Sequence, residues 1–270
     1  MSDKKIRLAL VGKDVSKSQS KAIHTFILNA WGLDCEYEYF SVDKVNFDNT
    51  MRRLLGDFDG FNVTIPYKRD VMAYLDEVEG DAFDFGAVNT VCCSNRFGYN
   101  TDGVGFLMMT RLGGIEIEKK RILVLGAGGS GRSTAVALKK AGAEVFLYQR
   151  NREKLLETAS EIGVKTASDP EEGGYDVLIN CTGVGMHESE GRSPVTEKAF
   201  LGATAAIDLI YTPEVSEFLR IAKTQGLRIL NGERMLFYQA YYADCLYIGR
   251  TPNETEAIRL CESYLQEKKK

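Results

Sequence analysis

Residues 126–131 read Gly126-Ala127-Gly128-Gly129-Ser130-Gly131. The apolar stretch Arg121-Ile122-Leu123-Val124-Leu125 precedes them, and Arg132–Leu138, which reads as a helix, follows. Glycines spaced G-x-G-x-x-G between a strand and a helix divide a task among themselves. The first allows a tight turn, the second lets backbone approach a pyrophosphate, and the third lets helix and strand pack closely. The free N–H groups and the dipole of the helix start then attract the phosphates. The run therefore points to a dinucleotide; the plain alternative is a glycine turn that binds nothing. The following strand, Val145–Tyr148, ends in Gln149-Arg150-Asn151-Arg152. In this position an NAD site carries an Asp or Glu that holds the ribose hydroxyls. Here Glu144 is at the wrong end of the strand and Glu153 is already in the next helix. Guanidiniums suit a 2′-phosphate through forked hydrogen bonds, so the tip favours NADP over NAD. In any other loop, Arg150 and Arg152 would read as solvated charge.

Three further polar clusters follow strand-like stretches: Ser16-Lys17-Ser18-Gln19-Ser20, Asn62-Val63-Thr64-Ile65-Pro66-Tyr67-Lys68, and Gly86-Ala87-Val88-Asn89-Thr90 with Asn100-Thr101-Asp102-Gly103. Taken singly, each has an ordinary explanation. Ser18 and Ser20 could cap a helix. Asn62, Thr64 and Asn89 could form turns. Lys68 could be a solvated lysine, and Asp102 the N-cap of a helix beginning at Gly103.

Positioning these groups takes alternating strands and helices. Ile6–Val11, Cys35–Val42 and Phe61–Thr64 read as strands. Ser20–Trp31 reads as a helix with Ile23, Phe26, Ile27 and Ala30 on one face, and Asn46–Leu55 as another. Ala87–Cys93 and Phe97–Tyr99 read as a hairpin, and Gly103–Leu112 as a helix stopped by Gly113-Gly114. In the second half, strands are expected at Ile122–Leu125, Val145–Tyr148, Val177–Asn180, Ala205–Leu209 and Arg228–Leu230. Helices are expected at Gly131–Ala141, Arg152–Ile162, Val215–Gln225, Glu233–Ile248 and Glu254–Gln266. Strands alternating with helices imply right-handed crossovers and a mostly parallel sheet. The fold class is α/β with two domains: an N-terminal α/β substrate domain, 1–105, and a Rossmann-type doubly wound domain, 106–236, for the dinucleotide.

The 270 residues suit about two domains. A formal net charge of −4 gives no reason to expect a nucleic-acid or membrane partner. Met1–Lys5 does not read as a signal peptide, and no apolar stretch is long enough to span a bilayer. Six cysteines without a C-x-x-C pair, and two distant histidines, argue against a metal site and for reduced thiols in the cytoplasm. The tail Gln266–Lys270 reads as a frayed, solvated end.

Taken together, the clusters resemble one family. Gly12 through His24 is similar to G-x-P-x-x-H-S-x-S-P-x-x-H, Asn62–Lys68 to N-V-T-x-P-x-K, Gly86–Thr90 to G-A-V-N-T and Asn100–Gly103 to N-T-D-G. Then follow Gly126–Gly131, Asn180-Cys181-Thr182, Gly185-Met186, Asp208–Tyr211 and Gly232 through Gln239. Order and spacing hold across nearly the whole chain, which resembles the shikimate/quinate dehydrogenase family. The resemblance implies reversible reduction of 3-dehydroshikimate to shikimate by NADPH, on the route to aromatic amino acids, in a monomer or homodimer. It also implies that the C-terminal helices, 237–270, complete the first domain.

By the same resemblance, Ser18 and Ser20 bind the substrate carboxylate, with Tyr211 near it. Asn62, Thr64, Asn89 and Gln239 bind ring hydroxyls, and Lys68 and Asp102 form the catalytic pair. Gly126–Gly131 hold the pyrophosphate, and Gln149, Arg150, Asn151 and Arg152 the 2′-phosphate. Thr182, Met186, Leu209 and Gly232 complete the cofactor set. Removing hydride from a secondary alcohol leaves a proton to be taken up by a group within hydrogen-bonding reach. A lysine and a carboxylate held together would carry that proton as a pair.

The chain departs from the family pattern at Asp14, Lys17 and Lys21, at Gln149 and Asn151, and at Arg234. These departures leave quinate or a related polyol acid open as substrate. A non-catalytic nucleotide sensor is the alternative of another class.

Overall fold

Ile6–Val11 is an almost unbroken apolar run because the sheet it enters is covered on both sides at that strand. The structure, a computed structural model, describes residues 5–269. Met1–Lys4 and Lys270, on which the readings of the two termini partly rest, lie outside the described residues. The chain divides into two compact units, residues 1–101 with 236–270, and residues 102–235.

The first unit contains β1 (Ile6–Gly12), α1 (Ser20–Ala30), β2 (Cys35–Ser41), α2 (Phe47–Asp57), β3 (Gly60–Val63), β4 (Glu77–Val78), α3 (Asp81–Phe85), β5 (Thr90–Cys92) and β6 (Phe97–Tyr99). Its sheet has the order β2-β1-β3-β5-β6-β4. The β1–β2, β1–β3 and β4–β6 pairs are parallel, whereas β3–β5 and β5–β6 are antiparallel. Ala9, Val11, Phe61, Val63 and Val91 pack on one face against Phe47, Met51 and Leu54 of α2. Leu8, Leu10 and Tyr37 pack on the other with Leu28 of α1. Each Val, Leu, Met or Phe side chain among them, removed from water, contributes about 1.5–3 kcal/mol.

The second unit contains α4 (Asp102–Leu112), β7 (Arg121–Leu125), α5 (Gly129–Lys140), β8 (Glu144–Tyr148), α6 (Arg152–Ile162), β9 (Lys165–Thr166), β10 (Val177–Asn180), β11 (Ala205–Asp208), α7 (Glu217–Thr224) and β12 (Arg228–Asn231). All its strands are parallel, in the order β12-β11-β10-β7-β8-β9. The order reverses at β7 and β10, the switch point at which such sheets bind ligands. The chain returns through α8 (Glu233–Tyr247) and α9 (Glu254–Lys268). No helix among the described residues is long and apolar enough to cross a membrane.

Three elements differ from the sequence expectation. The first hairpin strand is shorter, Thr90–Cys92, because Ala87–Asn89 are drawn into side-chain contacts instead, whereas the second stands at Phe97–Tyr99 as expected. Asp102 is the first residue of α4 rather than its cap. The tail does not fray at Gln266: α9 continues to Lys268, whose ammonium donates to Gln19 Oε1 at 2.9 Å.

Candidate active site

In the second unit, sheet register gathers residues far apart in sequence. Tyr148, Leu125, Asn180, Asp208 and Asn231 form one row across β8, β7, β10, β11 and β12. The residues that follow this row are Gln149, Gly126, Cys181, Leu209 and Gly232. The cofactor residues expected from sequence thus share one sheet edge, with Thr182 in the loop after β10, Met186 further along it, and Tyr211 after β11.

The glycine loop has the geometry its spacing requires. Gly126 has φ +102°, open to glycine and strained for other residues. A Cβ on Gly131 would collide with the Gly126 carbonyl oxygen. Helix α5 begins at Gly129, has Gly128 as N-cap and carries no acidic residue in its first turn. Its first N–H groups have no partner within the helix, so a phosphate meets donors there and no repelling carboxylate. Gln149 Oε1 accepts from Ala127 N at 3.1 Å, which ties the tip of β8 to the glycine loop. Asn151 caps α6 by accepting from Lys154 N at 3.0 Å. Arg150 and Arg152 are exposed, and neither has an ion-pair partner among the described residues. These residues fit an adenosine 2′-phosphate.

Behind the loop, Asn180 organises the crevice. Its Oδ1 accepts from Thr182 N at 3.0 Å and Thr182 Oγ1 at 2.6 Å, and its Nδ2 donates to Asp208 at 3.1 Å. Asp208 is fully buried and also accepts from the Ser216 hydroxyl and from Ile210 N. Burial pushes its carboxyl up to about 6, against the pull of those three donors.

In the first unit, a second row brings the other residues together. Tyr39, Leu10, Asn62, Thr90 and Tyr99 are in register across β2, β1, β3, β5 and β6. Asn62, buried, directs its Nδ2 at Asn89 O (3.3 Å) and Thr90 Oγ1 (3.4 Å), and its Oδ1 accepts from Tyr37 OH at 3.0 Å. Asn89 Oδ1 accepts from Thr101 N and Thr90 Oγ1, both at 2.9 Å. Gln239 Oε1, from α8, completes the set, with Thr101 Oγ1 at 3.4 Å. The result is a continuous buried polar network where an apolar core would otherwise stand.

Ser20 opens α1 and is buried; its N–H donates to Ser18 Oγ at 3.2 Å. The cap position is Gln19, and neither serine hydroxyl serves as its side-chain cap. Thr64 lies just beyond β3, its N–H donating to Val11 O at 2.9 Å. Lys68 is half-buried, its carbonyl receiving Val88 N at 2.8 Å. Asp102, buried, belongs to the second unit. Lys17 and Lys21 are both exposed, and Arg234 is half-buried.

Sequence reasoning missed Tyr37 and the pair behind it, His24 and Asp244. A lone histidine on the apolar face of α1 and a lone carboxylate within the apolar run of α8 were the available signals.

Fold and site define a class: a Rossmann-type dinucleotide-binding protein that carries a second α/β unit with a buried polar site. Comparison narrows it. Residues 10–91 match the family described as the shikimate dehydrogenase substrate binding domain. Over 250 residues the chain is 38% identical to a shikimate dehydrogenase (NADP(+)) of Thermus thermophilus, covering 92% of this chain and 94% of the relative. The crystal structure of shikimate 5-dehydrogenase from the same organism, in complex with NADP(H) and shikimate, superposes with a TM-score of 0.87 at 35% identity, covering 96% of this chain and 99% of that one. A chorismate mutase/shikimate 5-dehydrogenase fusion protein from Clostridium acetobutylicum gives a TM-score of 0.90 at 33% identity, covering 98% of both chains. The chain belongs to the shikimate dehydrogenase family.

Proposed function

We propose that this protein is an NADP-dependent oxidoreductase that reversibly reduces 3-dehydroshikimate to shikimate. The observation that carries the reading is the buried network of Asn62, Thr90, Asn89, Thr101 and Gln239. Buried polar groups are retained where they have partners, and this set presents amides and hydroxyls suited to a polyhydroxylated ring. Kinship with enzymes named for shikimate and NADP supports the same substrate and cofactor.

In this reading, residues 1–101 with 236–270 take the substrate and residues 102–235 take the cofactor. Ser18 and Ser20 hold the carboxylate, with Tyr211 near it. Asn62, Thr64, Asn89 and Gln239 hold ring hydroxyls. The glycine loop holds the pyrophosphate, with Thr182, Met186, Leu209 and Gly232 along the same sheet edge, and Arg150 and Arg152 face the 2′-phosphate. Gln149 and Asn151 shape that pocket from the loop and from the helix cap. When bound, the nicotinamide supplies the hydride chemistry. Lys68 and Asp102 take the alcohol proton as the ketone forms and return it in reduction.

The decisive experiment measures turnover with shikimate and with quinate, each against NADP+ and NAD+. Expected is the highest kcat/KM for shikimate with NADP+. Preference for quinate would move the substrate assignment. NADPH binding without turnover of either acid would favour the sensor alternative.

A further inference from the structure

A histidine–carboxylate pair lies in the core of the first unit, where apolar packing would serve stability as well. His24 Nδ1 and Asp244 Oδ1 are 2.6 Å apart, and both side chains are fully buried. His24 Nε2, Asp244 Oδ2 and the Tyr247 hydroxyl have no hydrogen-bond partner among the described residues. Burying such groups is costly. Their neighbours show what they brace. The His24 ring stacks on Tyr37, with centroids 4.9 Å apart and an interplanar angle of 18°. Tyr37, 2% exposed, reaches diagonally over β1 from β2 and donates its hydroxyl hydrogen to Asn62 Oδ1. Burial and the Asp244 charge both hold the Tyr37 phenol well above its ordinary pKa, so the hydroxyl keeps its proton to donate.

A carboxamide can occupy its site in two flipped orientations. On one side of Asn62 stands the Asn89 carbonyl, which accepts only, so nitrogen faces it. On the other stands Tyr37, whose proton is met by the amide oxygen. The pair also ties two elements that carry proposed substrate groups. His24 lies four residues after Ser20 on the buried face of α1, and Asp244 lies five residues after Gln239 on α8.

We propose that Asp244 and His24, acting through Tyr37, are positioning residues that fix the orientation of the Asn62 carboxamide, and thereby which ring hydroxyls the site accepts. The proposal rests on the assignment of this unit to substrate.

The test compares the wild-type protein with Tyr37→Phe and with the double variant His24→Leu/Asp244→Leu. It reads dissociation constants for shikimate, quinate and NADP+, together with kcat, KM and melting temperature. Wild-type turnover is read first; if neither acid is turned over, the functional reading fails, and the variants are compared by ligand binding alone. Tyr37→Phe keeps the stacked ring and removes the hydroxyl's contacts with Asn62 and Ser20, so shikimate binding is expected to weaken roughly five- to tenfold. NADP+ affinity should hold within about twofold, as for sites that share no partners. The shikimate-to-quinate ratio should change, because the Asn62 oxygen loses the donor that holds it while its nitrogen stays on the Asn89 carbonyl. The double variant leaves neither polar partner of the pair orphaned, so its melting temperature should hold or rise while shikimate binding weakens. A merely structural role would not separate the ligands in this way. Wild-type shikimate affinity and ratio in Tyr37→Phe would overturn the proposal, as would equal weakening of both ligands. Should the double variant not fold, Tyr37→Phe decides alone.

Discussion

At the residue scale, two side chains carry separate arguments. Lys68 is proposed as half of the proton-handling pair, and its side chain is half-buried. Lys68→Ala is therefore expected to lower kcat by roughly 10²–10⁴-fold, the usual contribution of a positioned acid or base. Steady-state turnover at saturating substrate checks this, and near-wild-type kcat would remove Lys68 from the mechanism. Asp208 argues from pH instead. Its carboxyl rises from 3.8 to about 6 through burial. The folded protein therefore holds a proton that the unfolded chain has already released. Its stabilising contribution is complete below the unfolded value and is lost as pH rises through about 6. Asp208→Asn removes the titration. Relative to wild type, the variant should gain about 2 kcal/mol between pH ~4 and ~7, read from urea unfolding at several pH values. A difference that stays flat across that range would mean the carboxylate is ionised in the fold throughout.

At the element scale, one loop combines a structural role with a proposed binding role. Asn151 caps α6, and it also follows Arg150, where a 2′-phosphate is expected. Aspartate caps as well as asparagine, but brings a negative charge beside the phosphate. Asn151→Asp should therefore leave the melting temperature unchanged, weaken NADP+ and spare NAD+. Equal loss of both cofactors would point to a deformed loop rather than to charge. The sequence made this geometry legible because glycine spacing, strand runs and caps are local. Arg152–Ile162 as a helix and Val177–Asn180 as a strand stand as expected. What stayed hidden was either too short to show a period or decided by distant packing. Strands β4 and β9 have two residues each, and α3 has five. The His24–Asp244 contact spans 220 positions, so no local pattern could announce it. Thr90 and Thr101 stood within recognised motifs, yet only the fold shows that they join Asn89 to Asn62 and Gln239.

At the scale of the whole molecule, the chain leaves its first unit after Thr101 and re-enters it at Leu236. Chains with two such units commonly depart from two-state unfolding, and a ligand stabilises what holds it. The single tryptophan, Trp31, lies in the first unit, under the Arg250 guanidinium at 4.5 Å and edge-on to Tyr241 at 5.5 Å. Its fluorescence therefore reports that unit, whereas far-ultraviolet circular dichroism reports both. Shikimate should raise the Trp31 transition. NADP+ at a hundred times its Kd should add about 2.7 kcal/mol to the unit that binds it, moving the circular dichroism midpoint more than the fluorescence one. If NADP+ moves both signals equally, the chain unfolds as one body, because a ligand confined to residues 102–235 can shift Trp31 only through coupling. If shikimate leaves Trp31 unmoved while raising the circular dichroism midpoint, the division of ligands between the units is reversed.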